Sequence, residues 1–362
     1  MFDKLRQLNR ARNLKTKKLK LRIKNKLLAV QIKNRKEKIA LSEIKNICIL
    51  LFNIGIGDNI IATGFIRELS KHGYNISVFI NSKTAFLFEN NPYVQHIYFV
   101  EGKFSLIDKK IPHFDLLIDP YSRMDDHFRY AYLKVMRKLT YKYAIGFNVK
   151  DLEIYNENIV FTDKAIHLTD VYQKILESIH INDANLSYEF NIPENHLAQA
   201  KDYLSHYHDK TIISFNPFAS CNVRSFTLPQ INELLNKLSA IDDVIVIIIG
   251  EEHKTAELAA SDKIIHNPFK SFFGASAIMS LSDIIISVET AMVHVSNALD
   301  KELVSIYSSE ILDGFESNFL FAPHYDKAVQ LIAPDKNAAN MDMTLVYNEV
   351  MEKIHSHQAQ KP

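Results

Sequence analysis

Residues 46–59 read Asn46-Ile47-Cys48-Ile49-Leu50-Leu51-Phe52-Asn53-Ile54-Gly55-Ile56-Gly57-Asp58-Asn59. An apolar run of strand length, 46–53, meets a glycine-bearing turn, and a helical pattern follows from 58 to 71. That is the opening of a βαβ unit, whose strand is covered on both faces and therefore lacks polar alternation. Working outward, strand-like runs recur at 75–80, 95–100, 114–119 and 143–147, with helical stretches at 129–139 and 167–179. The rhythm then restarts. Strands are predicted at 211–215, 244–249, 284–288 and 302–307, and helices at 229–238, 290–298 and 343–355. A polar seam at 182–194 carries Pro193.

The prediction is an α/β chain of two doubly wound, Rossmann-like domains, residues 41–185 and 186–345. A basic helical arm (1–40) precedes them and a C-terminal helix and tail (346–362) follows. Two such domains facing one another would place the carboxyl ends of their strands on a shared cleft, where ligands of open α/β sheets bind.

Composition narrows the classes. The chain has 362 residues, 47% of them hydrophobic, and two cysteines, Cys48 and Cys221. Wholesale disorder, a collagen-like fibre and a disulfide scaffold are excluded, and two thiols suit a reducing compartment. The formal net charge of +1 is a cancellation. Residues 1–40 hold 15 Lys and Arg against two acids, +13, whereas the remainder carries 28 basic and 40 acidic residues, −12. No run approaches the ~20 apolar residues of a membrane span, and no secretory signal is expected. The expected location is cytoplasmic, peripheral at the inner face of the cytoplasmic membrane.

Three constellations carry chemistry. In the first, Gly55 and Gly57 allow close backbone approach, and Asp58 stands at the helix start. It is either a simple N-cap or a general base at the carboxyl end of the first strand. No glycine or alanine stands at Ile60, so a dinucleotide fingerprint is not formed. The second is Phe215-Asn216-Pro217-Phe218-Ala219-Ser220-Cys221-Asn222-Val223-Arg224. Its Arg224 is a planar cation suited to phosphate oxygens, or a solvated surface arginine. The third is Ser287-Val288-Glu289-Thr290-Ala291-Met292-Val293-His294, a strand running into a helix whose first N–H groups favour a phosphate. His294 reads either as part of this site or as a core histidine.

In this order the three motifs resemble those of glycosyltransferase family nine, the bacterial lipopolysaccharide heptosyltransferases. Gly57-Asp58 is similar to the family's Gly-Asp. The stretch from Asn216 to Ser220 with Arg224 resembles its His-Pro-Gly-Ala-Ser loop and following Lys. Glu289-Thr290-Ala291-Met292-Val293-His294 resembles its Asp-Thr-Gly-x-x-His. Residues 143–147 and 282–286 add further likeness. The resemblance implies the GT-B fold and an inverting, metal-independent transfer of a sugar from a nucleotide sugar, by the family's habit ADP-heptose, to a lipopolysaccharide core or related glycolipid. No Asp-x-Asp occurs in the chain. It implies Asp58 as the catalytic base. It also implies a donor site of Gly57, Asn216, Ser220, Arg224, Gly250, Glu289, Thr290, Ala291, Met292 and His294. Arg224 for Lys, Glu289 for Asp, Ala291 for Gly and Asn216 for His depart from the pattern, and they leave the donor open.

The acceptor would lie against the N-terminal domain. Lys83, Asp119, Arg123, His127 and Arg129 follow predicted strand ends, as acceptor-binding groups or as ordinary surface charges. In the arm, Leu19, Ile23, Leu27 and Val30 recur at spacings of four, four and three, one apolar stripe among Lys and Arg. A basic amphipathic helix of this kind suits an anionic membrane surface, a partner protein or plain solvent. The competing functions are the same fold with another nucleotide sugar, and a non-catalytic membrane- or nucleic-acid-binding protein working through the arm. No nucleic-acid partner is expected of the acidic body.

Overall fold

The computed structural model describes residues 2–32, 40–108, 110–121, 125–148, 153–312 and 314–360. It divides into two compact units: Met1–Gly55, Gly64–Lys164 and Leu168–Leu186 in the first, and Ile56–Thr63, Ala165–His167 and Ser187–Pro362 in the second.

The first unit opens with the long helix α1 (Phe2–Gln31) and the strand β1 (Asn46–Leu50). The helix α2 (Ile56–Lys71) follows; its residues 56–63 group with the second unit and the rest with the first. Then come β2 (Asn75–Ile80), β3 (His96–Glu101), β4 (Ser105–Leu106), β5 (His113–Asp119), α3 (Asp126–Met136), β6 (Thr140–Phe147), β7 (Glu157–Ile159) and α4 (Leu168–Ser178). The sheet runs β4-β3-β2-β1-β5-β6-β7, parallel throughout except for β4 on β3. From β1 the chain steps outward on one side and returns to the other, so the order reverses between β1 and β5, the point at which such sheets open a crevice. Asp115 pins the opposite edge: its carboxylate accepts from the backbone N–H groups of Lys45 and Asn46, 3.0 Å each, and pairs with Lys142 at 2.9 Å.

Several element ends differ from the sequence expectation, among them the start of α2 at Ile56 and of β6 at Thr140, and two have a clear local reason. The strand β1 stops at Leu50 because the turn that follows puts Asn53 at φ 60°, outside extended space. The helix α3 begins at Asp126, before the expected residue 129, because Asp125 caps it. Its carboxylate accepts from the N–H groups of His127 (2.7 Å) and Phe128 (3.2 Å).

The second unit comprises α5 (Glu194–Leu204), β8 (Thr211–Asn216), α6 (Leu228–Ser239), β9 (Val244–Ile248), α7 (Glu252–Thr255), β10 (Ile264–His266), α8 (Phe272–Leu281), β11 (Ile284–Val288), α9 (Ala291–Ala298), β12 (Glu302–Tyr307), the hairpin β13 (Ile311–Leu312) and β14 (Phe315–Glu316), α10 (Ser317–Leu320), β15 (Ala328–Ile332) and α11 (Met343–Gln360). Its parallel sheet runs β10-β9-β8-β11-β12-β15, the doubly wound order again, with the reversal between β8 and β11. All five residues of β9 are buried, as a strand covered on both faces requires. The start of α6 is fixed by a capping box between Thr227 and Gln230. Met343, Val346, Val350 and Ile354 of α11 complete the core over α6.

Candidate functional site

The reversal between β8 and β11 places Asn216 beside Ser287 in the ladder. The Asn216 amide donates to the Ser287 hydroxyl (3.0 Å) and to the Thr290 hydroxyl (2.8 Å), both through Nδ2. Thr290 is extended and caps α9, its hydroxyl accepting from the Met292 N–H at 3.2 Å. The cap therefore occupies one of the backbone donors read from the sequence as facing a phosphate. Ala291, the first residue of α9, lies outside the left-handed region, so nothing in its backbone calls for the family's glycine.

Beside this helix start lies a pocket of about 360 Å³. Six of the predicted donor residues line it: Asn216, Ser220, Gly250, Thr290, Ala291 and Met292. Gly250 sits at φ 153°, and a Cβ there would stand 2.9 Å from the Thr255 methyl, so both conformation and space require glycine. Lys254, Lys270 and Phe269 also line the pocket and were not found from sequence. No motif spacing marks them. Lys254 spans the site by donating to the Ala219 carbonyl (3.0 Å) and pairing with Glu251 at 2.5 Å.

Arg224 and Glu289 are not among the pocket's lining; they pair with each other, and Arg224 reaches the lining residue Ser220. The guanidinium donates from Nη1 to Glu289 Oε1 (3.2 Å), from Nη2 to Ser220 Oγ (2.8 Å) and from Nε to Cys221 Sγ (3.3 Å). Among the described residues that engages three of its five N–H donors. Glu289 is buried, and its Oε2 has no hydrogen-bond partner among them. Burial pushes the Glu289 carboxyl above the usual range, against the opposing pull of Arg224.

The first and third motifs also meet. A Cβ on Gly57 would lie 2.6 Å from His294 Cδ2 and 3.4 Å from the Ala291 Cα. Glycine thus lets the first turn of α2, which bears Asp58, pack directly on the first turns of α9. Burial lowers the His294 pKa to about 4, and its Nδ1 lacks a partner among the described residues. Around it stand Tyr188, ring centroids 6.0 Å away, and His167, whose Nε2 is 3.2 Å from the Tyr188 hydroxyl. His167 stacks on His324 at 4.2 Å and 5°; burial first, then the neighbouring His324 and His294, hold it well below the usual histidine range. This histidine group lies far apart in sequence, and only the fold assembles it.

The expected acceptor residues lie in the first unit. Lys83 is exposed in the turn after β2. Asp119, at the end of β5, is fully buried, accepting from the Tyr155 hydroxyl (2.7 Å) and the Tyr121 N–H (3.3 Å). The Tyr155 ring lies against Gly146, where a Cβ would come within 2.5 Å. Arg129 is half-buried and His127 exposed, both on α3, while Arg123 lies outside the described residues. Among the described residues no three His, Cys, Asp or Glu are grouped to hold a metal ion, and no helix is long and apolar enough to cross a membrane.

Solved structures share this architecture. A glycosyl transferase family 9 protein from Veillonella parvula DSM 2008 superposes with a TM-score of 0.65 at 15% identity, over 86% of this chain and 97% of its own. The Escherichia coli ADP-heptose lps heptosyltransferase II gives 0.63 at 14%, over 87% and 100%. The fold is therefore that of the GT-B glycosyltransferases. In sequence, the pattern of Glycosyltransferase family 9 (heptosyltransferase) matches residues 113–350. The Escherichia coli (strain K12) protein named "Putative lipopolysaccharide heptosyltransferase 4" is 21% identical over 324 residues, 85% of this chain and 87% of that protein. The chain belongs to glycosyltransferase family 9, and it is a glycosyltransferase.

Proposed function

We propose that this enzyme transfers a heptose from ADP-heptose, with inversion, to a sugar hydroxyl of a lipopolysaccharide core or related glycolipid at the inner face of the cytoplasmic membrane. Asp58 takes the proton of the acceptor hydroxyl. The oxygen bonds to the anomeric carbon as the bond from that carbon to the diphosphate oxygen breaks, and the electron pair leaves with the nucleoside diphosphate. The two Arg224 N–H groups not engaged by Glu289, Ser220 or Cys221 meet the growing negative charge, together with the start of α9. Held by Glu289 and Ser220, the guanidinium is oriented before substrate arrives, which lowers the cost of reorganisation. Acceptor contacts are assigned to the first unit, where Lys83, Arg123 and Arg129 are the cations suited to phosphates or carboxylates, while the buried Asp119 holds the Tyr155 hydroxyl. The basic arm, residues 1–40, meets the anionic membrane surface.

The observation that carries this reading is the packing of Gly57, beside Asp58, on His294 and Ala291. It joins the motif bearing the base to the motif bearing the donor-binding helix start. The name of the Escherichia coli heptosyltransferase II, which shares the fold, supports ADP-heptose as the donor. Glu289 is one methylene longer than the family's Asp and reaches Arg224, which favours testing other sugars and bases as well. Calorimetry with ADP, UDP, GDP and CDP, followed by transfer assays with the matching sugar nucleotides, is the test. Preference for ADP and turnover of ADP-heptose support the reading; preference for another base replaces the donor.

A further inference from the structure

The arm has two apolar faces, and the fold uses only one. Across the inner face of α1, Leu21, Leu28 and Ala29 are half-buried, and Asn25 and Ile32 are buried. This face is clipped along α3. The Asn25 amide donates to the Asp126 carbonyl (2.8 Å), Arg22 pairs with the Asp126 carboxylate (2.9 Å), and Arg137 donates to the Gln31 side chain (2.7 Å). Leu28, Ala29 and Ile32 pack with the core beneath. Leu19, Ile23, Leu27 and Val30 point the other way and are 60%, 51%, 59% and 83% exposed. At 100° per residue these four fall within one narrow sector, with Lys15 and Lys26 along one border and Lys17, Lys20 and Lys24 along the other. Sequence periodicity found the outer stripe; the inner one is broken by Asn25, whose partner only the fold reveals.

We propose that α1 is a docked interfacial helix: its inner face is fixed to α3 while its outer stripe enters the headgroup region of an anionic bilayer. Between Phe2 and Gln31 the chain has eleven Lys and Arg against one Asp, which matches anionic lipid. Long basic side chains bordering an apolar stripe keep their stems on the hydrocarbon and their charges among phosphates. Nucleic acid would use the cations but leave four large aliphatic side chains without a partner, so lipid is favoured. Because α1 is held to the first unit through residues 21–32, the stretch that also carries most of the outer stripe, the contact orients that unit on the membrane and does not merely tether it. The inference deepens the membrane placement proposed above but does not depend on the transferase reading.

The chain has no tryptophan, so single introduced tryptophans report on each face without background. In the full-length protein, Ile23→Trp and Val30→Trp should shift to the blue and be quenched by brominated lipid when vesicles of one-third phosphatidylglycerol in phosphatidylcholine are added. Pure phosphatidylcholine should have little effect. Leu28→Trp should be blue-shifted beforehand and unchanged by vesicles. The double variant I23D/L27D should bind these vesicles at least about tenfold more weakly, with unchanged Tm and unchanged ADP binding. Silence of the outer tryptophans, or equal binding of duplex RNA by wild type and I23D/L27D in place of vesicle binding, overturns the proposal. An equal response at Leu28→Trp overturns the docked geometry. ADP binding is read separately, so failure of the donor assignment leaves this result standing.

Discussion

Gly57 and His294 are in contact across the second unit: a Cβ on Gly57 would stand 2.6 Å from the imidazole Cδ2 and 3.2 Å from Nε2. The absence of a side chain at one position is what seats the ring of the other. Gly57→Ala must therefore push the imidazole or the helix start aside. Overpacking of this kind costs about 1–3 kcal/mol, and we expect a matching fall in Tm with a larger fall in transfer rate. Because the clash is with one side chain, His294→Ala in the Gly57→Ala background should recover part of the lost stability. Additive losses in the double-mutant cycle would contradict the contact.

The same histidine sets a pH dependence. Its pKa is about 4 in the fold against 6.5 as its ordinary value. Between these values the unfolded chain binds a proton that the native protein does not, so stability falls as pH drops through that window. The His294 contribution is fully present above pH 6.5, and about 3 kcal/mol is lost by pH 4. His167, also depressed, acts in the same direction. Urea midpoints measured from pH 7 to pH 4 should fall less steeply for His294→Gln than for wild type. Parallel curves would show that the ring is not buried neutral.

Arg224 and Glu289 form a partly buried pair at 3.2 Å. Arg224→Ala leaves the carboxylate of Glu289 without its cation, a cost of about 2 kcal/mol in stability. Loss of a preorganised charge on the leaving group should lower kcat about 10²–10³-fold. Arg224→Lys should fall between, since an ammonium cannot fork between Glu289, Ser220 and a phosphate. Wild-type kcat in Arg224→Ala would remove Arg224 from the proposed site.

How much of this was legible beforehand differs by scale. The strands at 75–80, 284–288 and 302–307 are dominated by apolar and β-branched residues, and they fold with those bounds because a buried parallel strand needs such residues. The order of motifs marked the family, and six of the predicted donor residues gather at one pocket. Helix starts were less readable, since the cap by Asp125 depends on side-chain geometry. Lys254 and Lys270 belong to no spacing pattern. The pairing of Gly57 with His294 and the stacking of His167 on His324 are long-range contacts, which local pattern cannot express. The inner face of α1 was masked by Asn25, a polar residue satisfied only by α3.

Asp119 illustrates the same limit. Placed by sequence at a strand end, it is buried and bonded to the Tyr155 hydroxyl. Tyr155→Phe removes that donor, and we expect about 1–3 kcal/mol of destabilisation with ADP affinity unchanged. A raised acceptor KM at unaltered Tm would instead assign Asp119 and Tyr155 directly to the acceptor.

The central claim is that Asp58 accepts the acceptor proton in an inverting transfer. Its most direct measurement is single-turnover transfer by Asp58→Asn, an isosteric change, with ADP binding and Tm recorded on the same protein. The account predicts unchanged ADP affinity, a native Tm and a transfer rate lower by about 10²–10⁴-fold. Transfer at the wild-type rate by a folded, ADP-binding Asp58→Asn enzyme would contradict it.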